Sequence, residues 1–341
     1  MSDTQTRALP PARYVPCQGP QAGPFEAQLR RVAGSAATVL LAGESGSGKS
    51  RAAYELHRAS ERAAGPFVEV DVSALSPTLV EAELFGHEEG AFTGAHRARR
   101  GRFQRASGGT LVLDSIENLA PEQQVKLLRV LQERVVEPLG GVAEEVDVRL
   151  VATTTLDLRT QVERGAFRED LYYRVAVVTL DVPPLRARLA DLPVLVEVLG
   201  EHVAARARVT WRPFSDGALA RLAEHGWPGN LRELENAIER ALVLGAGESG
   251  PVQAAELDFL AVEIAGEGQR LARLALAHGF TVDELGLAMI VEAVEEQRGN
   301  LSAAARQVGL TRRALDYRLR QASAAEADAA PAEATDDREG A

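Results

Sequence analysis

One stretch, "TVLLAGESGSGKS" at residues 38–50, restricts the possible folds more than any other. A short apolar run passes into Gly43, Glu44, Ser45, Gly46, Ser47, Gly48, Lys49 and Ser50, which satisfy G-x-x-x-x-G-K-[ST], and a helix-like pattern follows. Glycines at this spacing let backbone N–H groups close around phosphate oxygens at the start of a helix. The lysine then reaches the terminal phosphates, and the following hydroxyl ligates magnesium. These eight residues form a candidate ATP site, with Ser50 also a candidate ligand of Mg2+. A bare glycine-rich turn is the alternative, and the flanking strand and helix argue against it.

Apolar runs recur at 67–72, 110–114, 148–154 and 175–180, separated by amphipathic stretches such as Pro121 to Glu133. Strands with little polar alternation, interleaved with helices, belong to a parallel sheet covered on both faces. The expected fold is therefore α/β, a three-layer parallel sheet, followed from about residue 186 by a helical pattern alone. "TLVLD", 110–114, ends on Asp114, a natural partner for magnesium at such a site, although any strand-end aspartate would look the same. The expected parts are an irregular lead-in at 1–13, a nucleotide-binding α/β subdomain at 14–182 and a helical subdomain at 183–245. A linker at 246–280, a DNA-binding domain at 281–321 and a disordered acidic tail at 322–341 complete the chain.

The net charge of −11 speaks against a chain that coats nucleic acid over its whole surface. Its distribution is uneven, however. Residues 301–320 carry five arginines against one aspartate, and six acidic residues follow against one arginine. "RGNLSAAARQVGLTRRALDYRLRQ", 298–321, has the spacing of a helix-turn-helix: small residues Ala303 to Ala305 for close packing, Gly309 at the turn, and Thr311 as the cap of a second helix. Thr311, Arg312, Arg313, Tyr317, Arg318 and Arg320 are the candidate contacts to double-stranded DNA. Arginines at the start of that helix suit the major groove, and later ones suit phosphates. Leu287, Ile290, Val291 and Val294 recur at helical spacing and are expected to form a pairing face for a dimer. The single cysteine, Cys17, excludes an internal disulfide and reads as a small core residue. With no apolar span or signal core, the expected location is the cytoplasm, without membrane contact.

A second stretch identifies the relatives. "ELFGHEEGAFTGAHRARRGRFQRASGGTLVLD", 83–114, resembles the bacterial enhancer-binding proteins, AAA+ ATPases that activate sigma-54 RNA polymerase. The similarity runs on through "FREDLYYRV" (167–175), "PPLRAR" (183–188) and "WPGNLRELENAIERAL" (227–242), and "RGNLSAAARQVGLTRRALDYRLRQ" resembles the Fis-type module that ends many of them. Within "GAFTGA" two glycines bracket Ala-Phe-Thr, so the backbone can turn sharply and present Phe92, an exposure that is costly unless a partner buries it. The resemblance implies that Gly90, Ala91, Phe92, Thr93, Gly94 and Ala95 contact sigma-54. It also implies that Arg168 and Arg174 reach a neighbour's nucleotide in a ring, expected to be a hexamer, and that Arg232 is the sensor arginine of a helical lid. The short lead-in leaves no room for a sensory domain, so control is expected from elsewhere.

The resemblance also exposes three departures. Where the family strand ends Asp-Glu, this chain has Asp114-Ser115; the asparagine that holds that glutamate is Asp71; and the sensor asparagine is Thr155, with Thr154 retained. A serine hydroxyl is too weak a base to replace a carboxylate, and losing a general base costs about 10² to 10⁴ in rate while binding survives. Two outcomes stay open. Hydrolysis is attenuated, leaving an ATP-binding regulator that modulates active relatives, or the carboxylate has moved to Asp71 with Ser115 donating a hydrogen bond. Glu117, just past the strand, is a second candidate.

Overall fold

In chain order the described residues form strands β1 (Val39–Ala42), β2 (Phe67–Asp71), β3 (Gly86–His87), β4 (Arg99–Arg100), β5 (Thr110–Asp114), β6 (Val135–Val136), β7 (Glu144–Glu145), β8 (Arg149–Thr154) and β9 (Val178–Asp181). Five of them make one parallel sheet in the order β2-β5-β8-β1-β9, and the short pairs β3-β4 and β6-β7 are antiparallel. The computed structural model describes residues 15–17, 23–92, 95–260, 275 and 280–319. The chain divides into two compact units, 1–258 and 259–341.

Alternation along each central strand builds two separate cores. Leu40, Leu111, Leu113, Leu150 and Ala152 face one side of the sheet, where they meet α3 (Pro77–Phe85), α4 (Arg102–Arg105), α5 (Pro121–Glu133), α6 (Leu158–Glu163) and α7 (Glu169–Val175). Val39, Leu41, Val112, Val151 and Leu180 face the other, against α1 (Gly23–Ala33) and α2 (Lys49–Arg58). With both faces covered, β5 and β8 read as continuous apolar runs, as a buried parallel strand must. Cys17 is buried in the second core and accepts a hydrogen bond from Arg188. Burial raises its thiol pKa, with Arg188 opposing.

One strand differs from the sequence expectation. The run "VAVVTL" is strand only from Val178, because Val175 is buried as the last residue of α7 and the Ala176 N–H closes on the Tyr172 carbonyl. A β-branched run fits either a strand or the buried end of a helix, and tertiary packing decides.

The helical part of the first unit contains α8 (Leu192–Ala207), α9 (Asp216–Ala223) and α10 (Asn230–Leu244). Gly200 on α8 lets Trp211 pack directly against the helix, since a Cβ there would sit 1.9 Å from the indole. Residues 246–258, expected to begin a linker, are folded onto this part. Val252 bridges Phe214, and the buried Arg212 guanidinium binds Glu256 and the carbonyls of Gly245 and Gly250. That capture of loop carbonyls by a buried cation is invisible in composition.

In the second unit, helices Val282–Glu296, Leu301–Gln307 and 312–319 close on Ile290, Ala293, Ala304, Ala305 and Leu315. Thr281 and Glu284 form a capping box, and Gly309 turns with φ 70°. Ile290 and Val294 are spent on this core, so they do not form the expected pairing face; Val282, Leu285, Met289 and Val291 are the exposed large apolar residues of the first helix. Among the described residues no helix is long and apolar enough to cross a membrane.

Candidate functional site

The glycine-rich turn lies between β1 and α2, at the ends of the parallel strands where such folds bind ligands. Gly43, Gly46 and Gly48 all have positive φ, and a Cβ on Gly46 would lie 2.4 Å from the Gly229 carbonyl. Lys49 opens α2, is largely buried, and donates to the carbonyls of Gly43 (2.7 Å) and Glu44 (2.9 Å). Desolvation lowers its pKa, while the charges of Asp114 and then Glu117 oppose that shift. Ser50 follows on the first turn of the helix, and Ser47 is buried with a hydroxyl that has no partner among the described residues.

The helical part closes on this turn through contacts that the sequence reading named only in part. Arg232 donates to the Ser45 hydroxyl at 3.0 Å. Asn230, fully buried with φ 53°, donates to Glu44 Oε2 and the Ser45 carbonyl, both at 3.0 Å, and accepts from the Leu185 N–H. Arg186 forms an ion pair with Glu44. The Glu44 side chain therefore faces the lid rather than a phosphate, and the Arg186 guanidinium, with Asn230 adding, holds its carboxyl at about 2. "PPLRAR" and "GNLREL" carried this signal, but only Arg232 was singled out from them.

Asp114 ends β5 in register with Asp71 on β2. Thr153 on β8, a residue the sequence reading missed, bonds Asp114 Oδ1 through its hydroxyl and accepts the Ser115 N–H at 3.2 Å. Thr154 spends its hydroxyl on Leu156, where the strand ends. Asp71 Oδ1 accepts both the N–H and the hydroxyl of Ser73, and among the described residues no hydrogen bond joins Asp71 to Ser115. Ser115 lies in the left-handed region, φ 61° and ψ 52°, and leads into a 3-10 turn over Ile116–Asn118. That turn brings Glu117 to Thr155, whose N–H (3.0 Å) and hydroxyl (2.8 Å) both donate to Glu117 Oε1.

Arg168 pairs with Asp170, and Arg174 donates to the Leu131 carbonyl at 2.7 Å; both are exposed. Gly90 (φ 80°) and Ala95 tie the base of their loop, with Gly90 N–H to Ala95 O at 2.8 Å and Ala95 N–H to Phe92 O at 2.9 Å. Phe92 is 41% exposed and rests edge-on against His87 of β3. Ala91 lies over Gly140, and Thr93 and Gly94 fall outside the described residues. In the second unit Thr311 accepts the Ala314 N–H at 3.2 Å, capping a helix on which Arg312, Arg313, Tyr317 and Arg318 are exposed. Arg320 falls outside the described residues.

A glycine-rich loop opening α2 beneath a helical lid, with an acidic strand end beside it, defines an AAA+ nucleotide-binding domain. Residues 18–181 match the family described as the sigma-54 interaction domain. Residues 186–270 match the AAA+ ATPase lid domain, and 281–321 match the bacterial regulatory proteins of the Fis family. The transcriptional regulatory protein ZraR of Escherichia coli strain K12 is 44% identical over 294 residues, covering 86% of this chain and 65% of that protein. FlbD of Caulobacter vibrioides is 41% identical over 310 residues, covering 86% and 67%. The crystal structure of NtrX from Brucella abortus in complex with ADP superposes with a TM-score of 0.66 at 32% identity, covering 91% of this chain and 70% of that one. Its complex with ATP gives 0.65 at 33%. The chain belongs to the sigma-54-dependent transcriptional activators, and it spans just under two thirds of the length of ZraR.

Proposed function

We propose that this protein binds an upstream site on double-stranded DNA through its second unit, assembles into a ring, and couples ATP binding and hydrolysis to remodelling of the sigma-54 RNA polymerase closed complex. The Phe92 loop carries the reading. An aromatic held 41% exposed between a glycine turn and His87 serves a macromolecular partner, and a small-molecule enzyme has no use for it. The reading places the protein in the cytoplasm at its DNA site, and the ADP and ATP complexes of NtrX support nucleotide binding at Gly43–Ser50.

Within that reading Lys49 leaves its two carbonyls to counter charge on the terminal phosphates, and Arg232 senses them from the lid. Arg168 and Arg174, exposed and paired only within their own subunit, exchange those partners for a neighbour's nucleotide in a ring, taken as a hexamer. Magnesium fits the donors. Asp114 has a second oxygen beyond the one bonded to Thr153, Ser50 adds a hydroxyl, and among the described residues no group of three or more His, Cys, Asp or Glu makes a metal cage. Hard oxygens supplied jointly by protein and substrate phosphates suit that ion, which when bound neutralises phosphate charge. In the second unit Arg312 and Arg313 suit base edges, and Arg318 suits phosphates. Exposed Leu285, Met289 and Val291 suit pairing of two such units on two half-sites.

Ser115 favours a second reading, an ATP-binding regulator without turnover, and a steady-state ATPase assay separates the two. The first reading is tested by capturing sigma-54 on the protein with ADP and aluminium fluoride. Wild type should retain sigma-54, and Phe92→Ala should bind ATP equally but retain none. Failure of wild type to engage sigma-54 in every nucleotide state would overturn the proposal.

A further inference from the structure

Ser115 cannot activate water, yet the backbone it adopts delivers another group to the same place. A non-glycine residue at φ 61° is unusual, and here it ends β5 abruptly and folds residues 116–118 back as a 3-10 turn. Glu117 thereby meets the end of β8, the strand beside β5 in the sheet. Its two oxygens have different fates. Oε1 is fixed by two donors from Thr155, whereas Oε2 is shielded from solvent and has no hydrogen-bond partner among the described residues. A buried carboxylate oxygen without a donor is costly unless something else comes to it.

The surroundings indicate what comes. The carboxylates that act most on the Lys49 ammonium are Asp114 and then Glu117, so Glu117 shares the phosphate end of the site. Glu44 is also near, but its carboxylate is bound by Arg186 and Asn230. Asp71 holds its own turn through Ser73.

We propose that Glu117, held by Thr155, is the carboxylate that accepts the proton of the water attacking the γ-phosphate of ATP. The assignment rests on the ATPase reading above. The water oxygen forms a bond to the γ-phosphorus while the bond from phosphorus to the β,γ-bridging oxygen breaks, its electron pair leaving on ADP. The water proton passes to Glu117 Oε2 and then to solvent as phosphate departs. Thr155 is a positioning residue: it fixes one oxygen and leaves the other to react.

Glu117→Gln keeps the shape and an acceptor for Thr155 but removes the base. Full-length Glu117→Gln should bind a fluorescent ATP analogue within about twofold of wild type while kcat falls about 10²- to 10⁴-fold. In sedimentation velocity, its ATP-induced assembly should persist after the wild-type assembly has decayed. Thr155→Val should lower kcat with KM unchanged, and Thr155→Ser should restore it; this pair carries the test if Glu117→Gln does not fold. Wild-type turnover in Glu117→Gln, with turnover lost in Asp71→Asn, overturns the assignment in favour of Asp71 and leaves the ATPase reading intact. A wild-type protein that hydrolyses no ATP at ring-forming concentration overturns that reading, and the assignment with it.

Discussion

Thr153 shows how one hydroxyl governs the acidic end of the site. It is fully buried, bonds Asp114 and accepts the Ser115 N–H, so it fixes both the carboxylate and the residue that turns the chain. Thr153→Val keeps the volume but leaves the half-buried Ser115 N–H without its acceptor and Asp114 without its donor, at a cost of about 1 to 3 kcal/mol. The expected result is a lower urea midpoint with an unchanged slope. The glycine-rich loop was legible because its chemistry occupies eight consecutive residues. Thr153 was not, since it meets Asp114, 39 residues away, only through the register of β5 and β8. Glu117 was legible as a carboxylate but not as a neighbour of Thr155, because no sequence rule announces a serine with positive φ.

At the scale of elements, the lid and the phosphate loop form one object. Arg186, Asn230 and Arg232 all terminate on residues 44 to 45, and the Leu231 N–H adds a bond to the Gly46 carbonyl. The Glu44 carboxyl sits at about 2 against an ordinary 4.5, chiefly through its hydrogen bonds from Arg186. Its folded-state value is depressed, so its contribution to stability is full above pH 4.5 and is lost as pH falls through about 2. A pair this open contributes about 1 kcal/mol at most. The melting temperature of wild type should therefore exceed that of Glu44→Gln slightly at neutral pH, with the gap closing between pH 4.5 and 2. The five strands of the parallel sheet were readable from their apolar runs, whereas the short pairs β3-β4 and β6-β7 carry no such run. The end of α7 and the start of the 246–258 segment were not readable either, because Tyr172 and Arg212 settle them through bonds made elsewhere in the fold.

On the scale of the whole molecule, the two units hold separate cores and suit separate tasks. Removing residues 281–341 takes away the entire cluster around Ile290 and Leu315, while Gly43–Ser50 lie in the other unit. The truncated protein should bind ATP with unchanged affinity but leave no footprint at the upstream site, as measured by nuclease protection. Retention of the footprint would place DNA recognition elsewhere. The hairpin's existence was readable from Gly309, Thr311 and its arginines. Of the expected pairing face Val291 is exposed, while Ile290 and Val294 pack into the unit's own core, because helical spacing groups residues on a side without saying which neighbour covers it.

Both tryptophans of the chain, Trp211 and Trp227, lie in the lid, and Trp227 is wholly buried three residues before Asn230, its indole N–H bonded to the Leu222 carbonyl. All indole emission from this protein therefore originates in the helical part that bonds to the glycine-rich loop. Any change in those surroundings when ATP is added would be read directly by intrinsic fluorescence, with no dye attached and no residue changed.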